Sequence, residues 1–405
     1  MKTNFLEFLG TLQNVEKTRN FNVFKDYNLD FFQKTMDPLI ETYKNHKPIR
    51  ISVVGTNAKG STSFYLAQIL NKHLKTAIFT SPHLISPYER CVVLGEEQNE
   101  TLIENVFQSK IFPNLQSFKS LSYFEFLTAF AYVFFAEQKT RVEIWEAGLG
   151  GRLDATKLVH PDFVVLTKIG LDHSEILGET EDKILLEKLG IICENTKQLF
   201  AMTQKTESIE NTIKTNSPVP FKIFRGKEPI EGPTTYSKNS GGFGYLDSNF
   251  HFAKLVTKSI FPKIAKTISD YQFSDFPKPK GRMEVLRNSP LVVFDPAHNP
   301  DAVAFSLAEF RSEHSQFFVL LGSLPDKDLI QIQMEVRKAK PESIFYLETA
   351  GMAKFPTGNF PSEVHCESLE TVCEFLSESK TPIFVLGSFR MYGIVSNLLQ
   401  NTINV

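Results

Sequence analysis

The sequence predicts an α/β protein made of two parallel-sheet domains, and three observations carry that prediction. Apolar runs of strand length alternate with longer helical patterns from residue 50 to residue 170, which reads as β-α-β units with right-handed crossovers. The same alternation restarts at residue 291 and continues to residue 388. Between the two lies Phe-Ser-Asp-Phe-Pro-Lys-Pro-Lys-Gly (273–281), whose prolines resist helix and keep two bodies apart. A chain of 405 residues is also too long for one ordinary core. The expected boundaries are 1–279 and 280–405, with a small antiparallel insertion at about 203–248.

Residues 1–48 carry helical patterning, broken near Asn20 to Asn28, as a preface to the first strand. That strand opens Ile-Ser-Val-Val-Gly-Thr-Asn-Ala-Lys-Gly-Ser-Thr-Ser (51–63): a buried strand, a glycine-flanked turn holding one lysine, then a helix start. Backbone N–H groups at such a helix N-terminus favour an anion, and Lys59 adds a full positive charge, so the stretch reads as a phosphate cradle. Its spacing departs from the standard loop, because Ala58 precedes the lysine and Gly60 follows it. A plain strand-to-helix turn would share this outline. Ser61 and Thr62 serve either as N-caps or as hydroxyls near a phosphate-bound magnesium.

Strand 76–80 completes the first β-α-β unit, which places the loop Ser-Pro-His-Leu-Ile-Ser-Pro (81–87) at the edge where open α/β sheets bind ligands. From Ser122 a helix apolar on nearly every face runs to residue 135 and should be buried. Glu125 within it is either a first-turn charge complementing the helix dipole or a ligand contact. Strand 141–146 delivers Glu146 to its end, where a carboxylate can hold a metal. The glycine-rich turn after it lets backbone approach a ligand. Strand 163–170 then presents Asp172 and His173. Alone, His173 reads as a structural histidine; with Ser81 and Glu146 at strand ends of one sheet, convergence on a site is the better reading.

Beyond the linker come strand 291–295, a helix from Asp301, strand 316–322, a helix from Asp328, strand 343–347 and a last strand within 382–388. The layout is Rossmann-like but holds no G-x-G-x-x-G, so no dinucleotide is implied.

Hydrophobic residues at 42% and charged residues at 22% describe a soluble globular protein. A formal net charge of −2 provides no basic surface for nucleic acid, and no basic amphipathic helix points to a membrane, so a small-molecule partner is expected. Cys91, Cys193, Cys366 and Cys373 lack the spacing of a zinc site or disulfide framework and suggest a reducing compartment. No stretch offers eighteen uncharged apolar residues, and a cytoplasmic monomer is expected.

Taken together, the motifs resemble the folylpolyglutamate synthase and dihydrofolate synthase family, relatives of the Mur ligases. The resemblance rests on Gly-Thr-Asn-Ala-Lys-Gly-Ser-Thr (55–62), Thr-Ser-Pro-His-Leu (80–84) with Glu89 and Arg90, and Tyr-Phe-Glu (123–125). It continues with Glu-Ala-Gly-Leu-Gly-Gly-Arg-Leu-Asp-Ala-Thr (146–156), Leu-Asp-His (171–173), Leu-Gly-Glu-Thr (177–180) and Glu-Lys-Leu-Gly-Ile (187–191). Gly-Arg-Met-Glu (281–284), Asp-Pro-Ala-His-Asn-Pro (295–300) and Asp-Lys-Asp (326–328) extend it past the linker.

The resemblance implies a Mur ligase-like pair of domains, an N-terminal P-loop-type ATPase and a C-terminal Rossmann-like domain. It implies a ligase that spends ATP to join L-glutamate to dihydropteroate, to tetrahydrofolate polyglutamates, or to both, through an acyl phosphate. The alternative is a non-catalytic ATP-binding switch or degenerate paralogue. By resemblance Asn57, Ala58, Lys59, Gly60, Ser61 and Thr62 hold ATP, joined by Arg282 and Asp295 of the second domain. Ser81, Glu146, His173 and Lys188 bind magnesium, with two ions expected, and Lys188 matches a lysine that is carbamylated in the family. Ser122, Tyr123, Phe124 and Glu125, with Leu153, Asp154 and Ala155, match segments that touch the pterin substrate. Lys59, Lys188 and His298 are the expected catalytic residues. The sequence departs from the family pattern at Ala58 and Pro296, where glycines are usual, and near residues 249–253, where the expected adenine-side asparagine looks absent and Phe252 offers stacking instead.

Overall fold

A computed structural model describes residues 3–18, 27–224, 244–358 and 362–401. The chain divides into two compact units, Met1–Ile230 with Ser248–Phe276, and Glu231–Asp247 with Pro277–Val405. Among the described residues no helix is long and apolar enough to cross a membrane.

The first unit opens with helices α1 (Phe5–Gly10), α2 (Val15–Thr18) and α3 (Asp30–Thr42), then β1 (Ile49–Val54), α4 (Lys59–Asn71), β2 (Thr76–Phe79) and β3 (Cys91–Val93). It continues with α5 (Asn99–Val106), α6 (Tyr123–Glu137), β4 (Val142–Glu146), β5 (Phe163–Leu166), α7 (Ser174–Leu177), α8 (Glu181–Leu189) and β6 (Gln198–Met202). Then follow α9 (Glu207–Asn216), β7 (Phe221–Phe224), α10 (Tyr245–Ile260) and α11 (Ala265–Asp270). Seven strands form one sheet in the order β3-β2-β4-β1-β5-β6-β7, with β1 parallel to both β4 and β5 at its centre. The apolar runs read as strands are buried on both faces, as a sheet with helices on each side requires.

Helix α6 starts where Ser122 caps it: the hydroxyl accepts Glu125 N–H at 3.3 Å and Glu125 Oε2 accepts Ser122 N–H at 2.7 Å. Such a reciprocal box satisfies two otherwise unpaired donors. Phe126, Phe130 and Phe134 are fully buried, and Phe130 lies 4.7 Å from the ring of Phe5 and 5.9 Å from that of Phe134. Each buried ring contributes roughly 2–3 kcal/mol of transfer free energy, so the phenylalanine-rich composition is core filling.

The second unit contains β8 (Glu284–Asn288), β9 (Leu291–Phe294), α12 (Pro300–Glu313), β10 (Phe318–Leu321), α13 (Leu329–Lys338), β11 (Ser343–Leu347), β12 (Glu363–Cys366), α14 (Leu369–Glu378), β13 (Ile383–Leu386) and α15 (Arg390–Asn401). Its six-stranded sheet has the order β12-β11-β10-β13-β9-β8.

Two features differ from the sequence reading. Each sheet carries an antiparallel edge strand, β3 on β2 and β8 on β9. β3 is only three residues long, and β8, Glu-Val-Leu-Arg-Asn, lacks the continuous apolar run that marks a buried strand. The antiparallel insertion expected at about 203–248 is also replaced, over its described part, by α9, by β7 paired parallel to β6, and by the start of α10. Thr206 caps α9, whose apolar residues Ile209 and Ile213 recur at helical spacing and are buried, a signal outweighed in the reading by the turn residues downstream. Those turn residues, 225–243, and the break at 19–26 lie outside the described residues.

Candidate functional site

The cradle is built as a strand exit braced by its neighbour. After β1, Thr56 and Asn57 donate their N–H groups to Lys168 O at 2.8 and 3.2 Å, and Thr56 Oγ1 donates to Gly170 O at 3.0 Å. Gly55 is obligatory there, since a Cβ would sit 1.9 Å from Thr167 Oγ1. Ala58 takes the left-handed conformation, φ 71°, as the residue before α4. Glycine adopts this without strain, whereas alanine carries about 1–2 kcal/mol. The helix therefore begins at Lys59, and Ser61 and Thr62 lie inside its first turn, which removes the N-cap reading for both. Thr62 Oγ1 is buried with no hydrogen-bond partner among the described residues, the situation expected of a hydroxyl awaiting a phosphate-bound cation.

Lys59 Nζ donates to Gly55 O at 3.0 Å and Thr56 O at 3.2 Å. Lys188, in the last turn of α8, reaches the same carbonyl: its Nζ lies 2.8 Å from Gly55 O and the residue is only 4% exposed. The reading of Lys188 as an exposed helical lysine is thus excluded. Its ammonium is pushed down to a pKa of about 7, first by burial and then by the Lys59 charge, against the opposing pull of Asp172 and Asp154.

Glu146 ends β4 nearly buried, and its Oε2 accepts Ser81 N–H at 3.3 Å, which ties the loop after β2 to the end of β4. His173 is left-handed at φ 52°, preceding α7, with Nε2 3.8 Å from Asp172 Oδ2. Ser81 and Glu146 are thereby brought together, and Lys188 joins Lys59 at the cradle. Among the described residues no three His, Cys, Asp or Glu side chains form a metal-holding group. The expected set draws only Glu146 and His173 from those types; the Ser81 and Glu146 oxygens and the orphaned Thr62 hydroxyl suit a hard divalent cation, whereas Lys188 suits one only as a carbamate.

The glycine-rich turn is fixed by close approach. A Cβ on Gly151 would lie 2.4 Å from Lys188 O, and Arg152 N–H donates to Glu187 O at 2.8 Å. Gly151→Ala should therefore push the end of α8 away, costing about 1–3 kcal/mol, read as a lower urea midpoint at unchanged slope. Gly148 is covered by the Phe124 ring, 2.7 Å from a would-be Cβ. Asp154 accepts Leu149 N–H at 2.8 Å, Thr156 N–H at 3.0 Å and Thr156 Oγ1 at 2.6 Å. Its carboxylate folds the turn, with burial raising its pKa. Leu153 is half-buried and Ala155 buried beside it. Of the two readings of Glu125, the structure gives a cap whose Oε1 also accepts Tyr27 O–H at 2.9 Å.

Sequence reasoning missed three groups. Glu89 accepts the N–H groups of Leu84, Ile85 and Ser86 at 2.8, 3.0 and 2.9 Å, holding the loop after β2 rigid. Arg90 is fully buried; it forks onto Glu16 at 2.9 and 2.5 Å, donates Nε–H to His83 Nδ1 at 2.9 Å and lies 5.4 Å from the Tyr123 ring centre. Arg90→Met removes the fork onto Glu16 and the bond to His83, and because the Glu16 carboxylate is 38% exposed a loss of only about 1–2 kcal/mol is expected in urea unfolding. Asn249 is buried with Nδ2 2.7 Å from Ser61 Oγ, so an asparagine does stand at the cradle helix. Phe252, read as a stacking ring, is instead buried edge-to-face against Phe224 at 5.9 Å.

In the second unit Asp295 is buried after β9 and accepts Ala297 N–H at 3.0 Å, Ser306 Oγ at 2.9 Å, Met283 N–H at 3.2 Å and the Tyr245 hydroxyl. Arg282 lies over the Phe389 ring at 5.0 Å, and the His298 ring is 5.9 Å from the same ring. His298 Nδ1 is 2.9 Å from Pro296 O; a carbonyl only accepts, so this nitrogen carries a proton.

No family model matches the chain. It is 29% identical over 302 residues to the dihydrofolate synthase/folylpolyglutamate synthase of Escherichia coli, covering 70% of this chain and 69% of that one. The Bacillus subtilis protein of the same name is 29% identical over 368 residues, covering 81% and 84%. Among solved structures, Escherichia coli FolC in complex with DHPP and ADP superposes with a TM-score of 0.73 at 22% identity, covering 98% of both chains. The bifunctional synthase of Yersinia pestis with AMPPNP and a manganese ion gives 0.71 at 23%, covering 93% and 94%. The structural likeness runs the length of both units, and the sequence likeness spans more than two thirds of each relative. In sequence and in fold, this chain is similar to the dihydrofolate synthase/folylpolyglutamate synthases.

Proposed function

We propose that this protein is an ATP-dependent carbon–nitrogen ligase that adds L-glutamate to dihydropteroate and to tetrahydrofolate polyglutamates, releasing ADP and phosphate. One observation carries the reading: two lysine nitrogens, Lys59 and Lys188, converge on the Gly55 carbonyl at the N-terminus of α4. The Lys59 charge and the backbone N–H donors of the turn suit a polyanion, and a nucleoside triphosphate is the polyanion such cradles bind.

An amine cannot displace oxide from a carboxylate, so the acceptor carboxylate must first take the γ-phosphoryl group and become an acyl phosphate. Lys59 neutralises charge on the transferring phosphoryl while the cradle N–H groups of residues 58–61 hold the chain of phosphates. Ser81, Glu146, His173 and a carbamylated Lys188 are the proposed ligands of two magnesium ions. When bound, these supply further charge neutralisation at the phosphates. Residues 122–125 and 153–155 are the proposed pterin contacts, made by backbone and by the Phe124 ring rather than by the Asp154 carboxylate, which is engaged in its own turn. Arg282 and Asp295 are the second unit's proposed nucleotide residues. His298, whose Nδ1 donates to Pro296 O, is the proposed third catalytic residue beside Lys59 and Lys188. The protein is proposed to act as a cytoplasmic monomer.

Incubation with ATP, magnesium, glutamate and either dihydropteroate or tetrahydrofolate should release phosphate only when glutamate and a folate acceptor are both present. Glutamate-independent release, or none with either acceptor, would leave an ATP-binding switch as the better description. Product mass distinguishes the two acceptors.

A further inference from the structure

The loop after β2 holds a histidine that neither the motif roles nor the cradle uses. His83 is half-buried, and its Nδ1 accepts Nε–H of Arg90 at 2.9 Å. A guanidinium in a protein does not deprotonate and has only N–H groups to offer, so Nδ1 must be the acceptor. The proton of a neutral imidazole then resides on Nε2, which has no hydrogen-bond partner among the described residues. Arg90 is itself locked, fully buried between the Glu16 carboxylate and the Tyr123 ring. The loop that carries His83 is locked as well, by three amides on Glu89 and by Ser81 N–H on Glu146. Local packing thus fixes the tautomer and leaves Nε2–H as the donor of the ring.

Sheet order indicates what this donor meets. The cradle follows β1, Glu146 ends β4, and the His83 loop follows β2, in the spatial order β2-β4-β1. A γ-phosphoryl leaving the cradle toward β2 passes the end of β4 first. On that β2 side Arg90 also lies against Tyr123 of the proposed acceptor segment.

Resting on the ligase reading above, we propose that His83 Nε2–H donates to the carboxylate of the folate acceptor and aims it at the γ-phosphorus. A single N–H donor orients one carboxylate oxygen and leaves the other as the nucleophile. Arg90 acts through His83 as a positioning residue.

Two variants and one spectroscopic measurement test this. A glutamine amide can place an N–H near the Nε2 position, whereas the shorter asparagine cannot. Binding of dihydropteroate, measured by calorimetry with a non-hydrolysable ATP analogue present, should weaken about tenfold to a hundredfold in His83→Asn and by less than about threefold in His83→Gln, the range of one hydrogen bond to a charged acceptor. ATP-analogue affinity should be unchanged in both. In the wild-type protein, the ¹⁵N and ¹H resonances of His83 Nε2–H should shift on adding dihydropteroate, which needs no variant to fold. Acceptor binding that leaves this signal unmoved, or equal loss in both variants, would overturn the role of His83. Absence of any acceptor binding by the wild type would instead overturn the ligase reading.

Discussion

Lys59→Ala is expected to lower kcat/KM by at least about a hundredfold, equivalent to roughly 2.7 kcal/mol of transition-state stabilisation. The side chain reaches back over its own turn to Gly55 O and Thr56 O, so it is already folded into the cradle without a ligand. A preorganised charge stabilises the transferring phosphoryl without reorganising during the step, which is why its loss falls on the transition state more than on ATP binding. Stability should move the other way. Removing Lys59 takes away the second-largest influence disfavouring a charged Lys188, so the variant should unfold no earlier than the parent. Steady-state kinetics with a parallel thermal melt separates the two effects. A loss below tenfold would remove Lys59 from the phosphoryl-transfer step.

Where periodicity and motif spacing carry the signal, the sequence was sufficient: the central strands β1, β4 and β5, the buried α6 and the cradle turn are legible because buried parallel strands are continuous apolar runs. The edge strands β3 and β8 are not, since β3 spans only three residues and none of the five in β8 is buried. Lys188 shows the same division for the site. Its motif was readable, but a lysine in the last turn of a charged helix looks solvent-facing, and only the packing of Gly151 against the end of α8 buries it. Arg90, Glu89 and His83 were visible as motif letters without roles. Their partners lie far along the chain or in a tight loop, and Arg90 pairs with Glu16 across 74 residues. Asp154 and Glu125 show that a carboxylate at a site's edge can be consumed by backbone donors, a use that residue type alone does not reveal.

The largest consequence of that burial concerns the protonation of Lys188. Below pH 7 the amine is charged in both the folded and the unfolded chain, so the full cost of burying an ammonium weighs against folding. As pH rises past about 7 the folded chain sheds its proton while the unfolded chain keeps one up to 10.5, so stability should rise across that window. The neutral amine is also the form that attacks CO₂, giving a carbamate, with one proton released for each C–N bond formed. That reaction turns the neutral amine into an anion beside the Lys59 charge, which repels the ammonium form and attracts the carbamate. A carbamate oxygen is in addition a ligand a hard divalent cation prefers, where an ammonium would repel it. Lys188→Arg keeps the charge and loses the nucleophilic amine, so it should fail as badly as Lys188→Ala, each losing at least about a hundredfold in kcat. Added ¹³C-bicarbonate should produce a carbamate resonance in the wild-type protein that strengthens between pH 6 and 8 and is absent from both variants. An arginine variant with near-normal kcat, or a wild-type spectrum without that resonance, would exclude the carbamate and leave Lys188 a buried structural cation.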